Sequence, residues 1–279
     1  MKDLYLNRTY PSWFLAVVSS ILLIVPTTSI AQAQEILIGG TGSALGTMHL
    51  LAQSYEKVQP DVKIRVMPSM GSGGGIKAVL AGAIQIGVSS RSLNEKELSG
   101  GAMAVEYGRT PFVFATAMKN KSTGITTQNL IDFYSGKLQN WPDGSQLRLV
   151  LRPIGDSDSE LIKSISPEMR EAKSIAEKRN GMLFTVTDQE TADAIERITG
   201  SIGPSTLAQI LSEKRALKAL PLDGIAPSAQ TIATGSYPLY KSMFIVTGPK
   251  TSADALAFIS FVKSAAGRKV LEQTDHWVK

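Results

Sequence analysis

The sequence predicts an α/β fold. Strand-like and helix-like segments alternate along the chain, and two glycine- and serine-rich loops each join a strand-like stretch to a helix-like one. The absence of cysteine and of internal repeats leaves no disulfide framework or repeat array as an alternative.

The first 33 residues stand apart from this pattern. Lys2 and Arg8 precede an apolar run from Trp13 to Val25, and Ala31-Gln32-Ala33 has the small-x-small form of a signal peptidase site. The segment reads as a leader cut after Ala33. Its uncharged apolar core, about 13 residues, is shorter than the roughly 20 that a spanning helix needs. With no cysteine to carry a lipid, the expected product is exported, soluble and indifferent to redox conditions. The remaining 246 residues suffice for one large domain or two of ordinary size. Their net charge of about +4 is dispersed, without the basic runs that mark nucleic-acid binding.

Ile36–Ile38 reads as a strand, and Ala44–Val58 as a helix whose start lies on Ser43. Val62, Ile64 and Val66 alternate with Lys63 and Arg65 as a half-buried strand, followed by the second glycine loop and a short helix, Ile76–Ala81. Ile84–Val88 is the next strand and ends on Ser89-Ser90-Arg91; Ser92 and Glu95 then have the spacing of a capping box. Phe112–Ala117 is a strand leaving this first lobe, and Thr127–Tyr134 a helix capped by threonine and ended by Gly136. Leu147–Leu151 delivers Arg152 into the loop Gly155-Asp156-Ser157-Asp158-Ser159, and the chain turns helical from Glu160. Pro167–Arg179 follows as a charged helix, Thr187 to Glu190 caps another, and Ile202-Gly203-Pro204 introduces a short one through Leu211. Met243–Val246 is a late strand, followed by amphipathic Ala253–Val262 and a terminal helix near Gly267–Gln273.

The loops carry the chemistry. Gly39-Gly40-Thr41-Gly42-Ser43 and Gly71-Ser72-Gly73-Gly74-Gly75 each open a helix, where backbone N–H groups lack partners and the macrodipole is positive. Glycine lets a ligand approach that backbone closely. With Ser90, Arg91, Arg152, Ser157 and Ser159 they supply N–H, hydroxyl and guanidinium donors suited to a small oxyanion. Neither loop is a nucleotide motif: Leu45 stands where a dinucleotide fingerprint needs its third glycine, and Ile76 precedes Lys77 where a phosphate loop needs glycine. Ser43 and His49 point to different faces of one helix with no acidic orienter, so a catalytic triad is not expected. Two histidines and no cysteine predict no zinc site, and no cofactor is implied. His49 and His276 read as packing or surface histidines, and Arg91 as a possible partner of Glu95 four residues on.

These residues resemble the phosphate-binding protein family of ABC transporters, within the type II periplasmic binding proteins. The resemblance runs from about Ile36 to the C-terminus. It includes Gly71-Ser72-Gly73-Gly74-Gly75-Ile76-Lys77, Ile86-Gly87-Val88-Ser89-Ser90-Arg91-Ser92-Leu93 and, most specifically, Leu130 to Trp141 with its Ser135-Gly136-Lys137 turn and Asn140-Trp141 signature. Gly200-Ser201-Ile202-Gly203, Tyr237-Pro238-Leu239 and Phe258 to Leu271 are similar to further family segments. The resemblance implies a two-lobed type II periplasmic binding protein with a two-strand hinge and an interlobe ligand cleft, residues 34–112 plus 238–279 forming one lobe and 113–237 the other. It implies a monomer that captures phosphate or another small oxyanion, without catalysis, and delivers it to an ABC permease and its ATPase subunits. Ser43 and the N–H of Ala44 would meet the ligand from the first loop, Ser72 and Gly73 from the second. Ser90 with Arg91 nearby would act from the third, and Arg152 with Ser157 and Ser159 from the other lobe.

The chain also departs from the family. Asp156-Ser157-Asp158-Ser159 replaces a common Gly-Ser-Gly-Thr, Ser90 stands where phosphate-specific members place an aspartate, and Gln85 replaces a common aspartate. Two carboxylates beside an anion site cost affinity unless they face away, bind Arg152 or accept a proton borne by the ligand. Phosphate therefore stays open against other oxyanions. The rival reading keeps the fold as a sensory or adhesive module that presents a ligand-dependent surface to a signalling partner.

Overall fold

The computed structural model describes residues 35–278. The leader and its cut after Ala33 lie outside the described residues, among which no helix is long and apolar enough to cross a membrane.

The chain begins with β1 (Glu35–Gly40), α1 (Gly42–Glu56), β2 (Lys63–Val66), α2 (Gly71–Ala81) and β3 (Ile86–Ser89). The intervening helices carry the chain back each time, so β2 and β3 both pair parallel to β1. Next come α3 (Glu95–Ser99), β4 (Met103–Ala117), α4 (Thr127–Ser135), β5 (Arg148–Leu151), α5 (Ser157–Lys163), α6 (Pro167–Lys178) and β6 (Leu183–Phe184). The chain ends with α7 (Asp188–Arg197), β7 (Ser201–Thr206), α8 (Leu207–Ser212), β8 (Leu217–Ala219), α9 (Ala229–Ala233), β9 (Tyr240–Thr247), α10 (Ala253–Lys263) and α11 (Ala265–Gln273).

The strands lie in the order β2-β1-β3-β9-β4-β7-β5-β6, with β8 also on β4. Fifteen-residue β4 joins the two ends of this array: residues Met103 to Pro111 pair antiparallel with β9, and Phe112 to Thr116 pair antiparallel with β7. Each end has its own apolar centre. Ile36, Met48, Ile86, Met243 and Phe258 fill one, and Phe112, Phe114, Leu130, Tyr134, Leu151 and Met169 fill the other. Burying a side chain of this size contributes about 1.5–3 kcal/mol, so either centre can support its own layers.

The segment over residues 130–141 is structural. Gly136 ends α4 in the left-handed conformation, φ +83°, and Arg179 donates to the Tyr134 carbonyl at 2.7 Å. Trp141 packs edge-on against Phe133 and donates its indole N–H to the Gly200 carbonyl at 2.8 Å.

Several expectations are corrected. The glycines at residues 71–75 form the first turns of α2 rather than a loop before Ile76. The capping box predicted at Ser92 and Glu95 falls on Asn94 and Glu97, whereas the threonine cap and the Gly136 end expected for α4 are both in place, the cap being Thr126. Arg91 pairs with Glu97, not Glu95, because the cap places Glu97 beside the turn after β3. β4 starts nine residues before Phe112, and the segment read as a lead-in around Pro204 is strand β7.

Helix α1 meets α7 and α8 through bare backbone. A Cβ at Gly42 would stand 2.5 Å from Gln189 Oε1 and 2.6 Å from Asp188 Oδ2, and one at Gly46 would stand 2.3 Å from Ser212 Oγ. Gln189 uses the closeness, donating to the Gly42 carbonyl at 3.0 Å and to Glu213 at 2.7 Å.

Candidate functional site

Nine of the eleven helices among the described residues have an N-cap side chain that accepts a backbone N–H. The exceptions are α1, which starts after Thr41, and α2, which starts after Met70. Their first-turn donors are left to other partners. Both of these helix starts lie by one cleft of about 930 Å³, lined in part by Thr41, Gly71, Ser72 and Gly73.

Six sequence-predicted residues, Ser72, Gly73, Ser90, Arg91, Arg152 and Ser157, line this cleft. Ser72 Oγ accepts from the Ser90 N–H at 3.1 Å and lies 3.3 Å from Ser90 Oγ, which in turn lies 3.3 Å from Ser157 Oγ. This row of hydroxyls runs from the start of α2 to the start of α5. Arg91 reaches the rim, but its guanidinium forks onto Glu97 at 2.7 and 2.9 Å and holds that carboxyl below its usual range.

Three predicted residues are not among those lining the cleft. Ser43 and Ala44 are buried in the first turn of α1, with Ser43 Oγ 3.0 Å from Thr41 Oγ1. Ser159 is buried and donates to the Arg152 carbonyl at 3.0 Å, fixing the turn that presents the arginine.

Arg152 leaves the end of β5 and is only 4% exposed. It donates to Asp156 Oδ1 at 3.3 Å, to Asp156 Oδ2 at 3.1 Å and to the Thr185 carbonyl at 3.0 Å. Asp156 thus takes the option of binding the arginine, and its other contact caps α5 by accepting from the Asp158 N–H at 3.0 Å. Asp158 is buried beneath the cleft, 3.9 Å from Arg152 and in close contact with Lys241 Nζ.

Lys241 and Asp188 line the same cleft and were missed by the sequence reading. Lys241 is 4% exposed, with its ammonium over the Phe112 ring at 5.7 Å. Burial works against its charge, yet the Asp158 and Asp188 carboxylates hold the ammonium above its usual range. For Asp188 burial wins and pushes the carboxyl up, opposed by Lys241 and Arg152 and reinforced by Asp158. A signal for Lys241 existed: it shares the period-two face of Met243 and Ile245, both buried. Asp188 follows the Thr187 cap and looks like an ordinary first-turn acid.

The histidines lie elsewhere. His49 is exposed on α1 and lines a second depression of about 740 Å³. The arginine there, Arg215, is tied to Asp193, Glu196 and Glu213. His276 is buried, its Nδ1 3.0 Å from Thr274 Oγ1, and burial lowers its pKa to about 4.

The arrangement offers a guest neutral donors on one wall and buried, paired cations on the other. Residues 25–266 match the PBP superfamily domain. The phosphate-binding protein PstS of Borreliella burgdorferi is 24% identical over 244 residues, covering 85% of this chain and 87% of that protein. Its namesake from Bacillus subtilis is 26% identical over 238 residues, covering 82% and 75%. A Clostridium perfringens protein whose crystal structure holds bound phosphate superimposes with a TM-score of 0.73 at 20% identity, over 88% of this chain and 99% of that one. The chain belongs to the PBP superfamily and has the α/β fold of the type II periplasmic binding proteins.

Proposed function

We propose that this protein captures phosphate or a similar small oxyanion outside the cytoplasmic membrane and hands it to an ABC permease driven by its ATPase subunits. The observation that carries the reading is the hydroxyl row Ser72, Ser90 and Ser157 crossing one cleft between the uncapped start of α2 and buried Arg152. Such donors favour a small polyoxygen anion, each charge-assisted bond contributing about 1.5–3 kcal/mol net. The PstS names of the relatives, and the phosphate held by the Clostridium protein, favour phosphate among the oxyanions.

In this reading Ser72, Gly73, Ser90, Arg152 and Ser157 contact the guest. Arg91 acts from the rim, while Ser43, Ala44 and Ser159 support the turns behind. One lobe comprises residues 34–112 plus 238–279 and the other 113–237. The hinge lies where β4 and the chain leading into β9 pass between them, near the Pro111–Tyr240 pair. Closure of a monomer around its guest changes the face offered to the permease, and no bond is made or broken. The leader ending at Ala33 directs export.

Isothermal titration of the purified protein with phosphate, sulfate, molybdate and short peptides tests this. Micromolar or tighter phosphate binding, about −8 kcal/mol or better, is expected. Binding of a peptide with failure of every oxyanion overturns it.

A further inference from the structure

A third cavity, of about 490 Å³, lies at the outer edge of the β5–β6 pair and is lined by Arg148 and Arg179 together with Phe133, Leu149, Leu183 and Ile198. Its size falls within the roughly 300–1,000 Å³ of small-molecule sites. β6 pairs only with Val150 and Leu151, so the cavity opens where the edge of β5 at Arg148 and Leu149 has no strand on that side. One wall is the Ser135-Gly136 turn of the segment over residues 130–141. A Cβ at Gly136 would stand 2.6 Å from Arg179 Nη2, so a side chain there would displace the guanidinium.

The two guanidiniums are held in place without being neutralised. Arg179 donates to the Tyr134 carbonyl at 2.7 Å, with Met182 Sδ 4.0 Å from its Nη1. Arg148 donates to the Thr199 carbonyl and to Gln146 Oε1, both at 2.7 Å. All four acceptors are neutral, none of the described residues lining the cavity is acidic, and neither arginine has an ion pair or a hydrogen bond from Nε among the described residues. Arg91, Arg152 and Arg215, which line the two larger depressions, are each tied to a carboxylate. The carbonyl ends of α4 and α6 meet this cavity through Gly136 and Arg179, but about half a negative charge from each offsets only part of the two cations. An arginine fixed by neutral partners keeps its charge and its forked donors for a planar anion. A bare inorganic anion would leave the apolar part of the lining unfilled, whereas a guest with a hydrocarbon body would cover it.

We infer that this cavity is a second binding site, which takes a small organic carboxylate with an apolar body, the carboxylate on Arg148 and Arg179 and the body against the apolar lining. No residue lines both this cavity and the oxyanion cleft, so the inference stands apart from the oxyanion reading.

The test is hexanoate titrated into the purified protein near neutral pH, with and without saturating inorganic phosphate, followed by calorimetry and by two-dimensional NMR. Hexanoate should bind with a Kd of about 1 mM or tighter in both conditions. The amide signals of Gly136, Leu149 and Gly181 should move, and those of Ser72 and Ser90 should stay. Hexan-1-ol, of the same length without the charge, should bind at least about tenfold more weakly. Arg148→Gln should weaken hexanoate about fivefold or more, and adding Arg179→Gln should abolish measurable binding, with phosphate affinity kept within about twofold in both. Arg148 is exposed, so the single variant decides the matter even if loss of Arg179 loosens the end of α4. Absence of hexanoate binding at about 10 mM overturns the inference. Equal affinity for hexan-1-ol, displacement of hexanoate by phosphate, or full hexanoate affinity in Arg148→Gln overturns it equally. Hexanoate binding in a protein that takes no phosphate upholds this inference and rejects the oxyanion reading alone.

Discussion

The two walls of the cleft are built in opposite ways. On the α2 side stand Ser72, Gly73 and Ser90, neutral and partly exposed, with a helix start that no side chain caps. Facing them stand Arg152 from the end of β5 and Asp188 from α7, with Lys241 reaching in from β9, all nine-tenths or more buried, and Asp158 beneath them. Neutral donors can wait against water at little cost, but a charge withdrawn from water must be paired first. The charged wall therefore arrives already partnered, and a guest must compete with carboxylates for its cations. In the proposed reading, the neutral donors are the groups open to a guest, while Nε, Nη1 and Nη2 of Arg152 each already have an acceptor.

The most damaging way to break this contrast is Arg152→Ala. It strands Asp156 beside Asp158 and Asp188, so stability should fall by about 3–5 kcal/mol and phosphate affinity by 100-fold or more. Thermal unfolding and titration calorimetry check both, and unchanged oxyanion affinity would reject the binding role of the arginine. Lys241→Met should cost about 3 kcal/mol by leaving Asp158 buried with only the more distant Arg152, at 3.9 Å, to offset its charge, and adding Asp158→Asn should restore most of it. A double-mutant cycle that proves additive would show that the two side chains do not interact.

His276 supplies a pH background outside the cleft. Its folded pKa of about 4 lies below the usual 6.5, so the unfolded chain binds the proton more readily. Its contribution is fully present above about pH 6.5 and is lost as pH falls toward 4, to a maximum of about 3 kcal/mol. His276→Leu should flatten denaturant midpoints across that window while leaving phosphate binding at pH 7 in place. The smallest effect is expected at the far end of the hydroxyl row: Ser157→Ala should weaken phosphate by about tenfold or less, about 1 kcal/mol, with the melting temperature nearly unchanged.

The same contrast explains what the sequence could reveal. Glycine and serine runs, strand alternation at Val62, Ile64 and Val66, and the neutral wall all depend on residues close together in the chain. The charged wall draws on positions 152, 158, 188 and 241, which only the folded sheet brings together. The capping box expected at Ser92 and Glu95 falls two residues on, at Asn94 and Glu97, because serine and asparagine compete for the same role at neighbouring positions, whereas the one expected at Thr187 and Glu190 is in place. The first half of β4 is hidden in the sequence because Glu106 and Arg109 interrupt its alternation and a register shift falls between Glu106 and Gly108. Pro204 disguises β7, whose pairing with β5 involves Ser201 and Ile202 and stops short of the proline.

Gly42 and Gly46, one helical turn apart on α1, leave no more clearance than two hydrogen atoms provide where that helix rests on α7 and α8. A methyl group at either place would act as a shim. The seating of α1, and with it the distance from Gly42 to the cleft residue Asp188, is thus gauged at a seam of plain backbone.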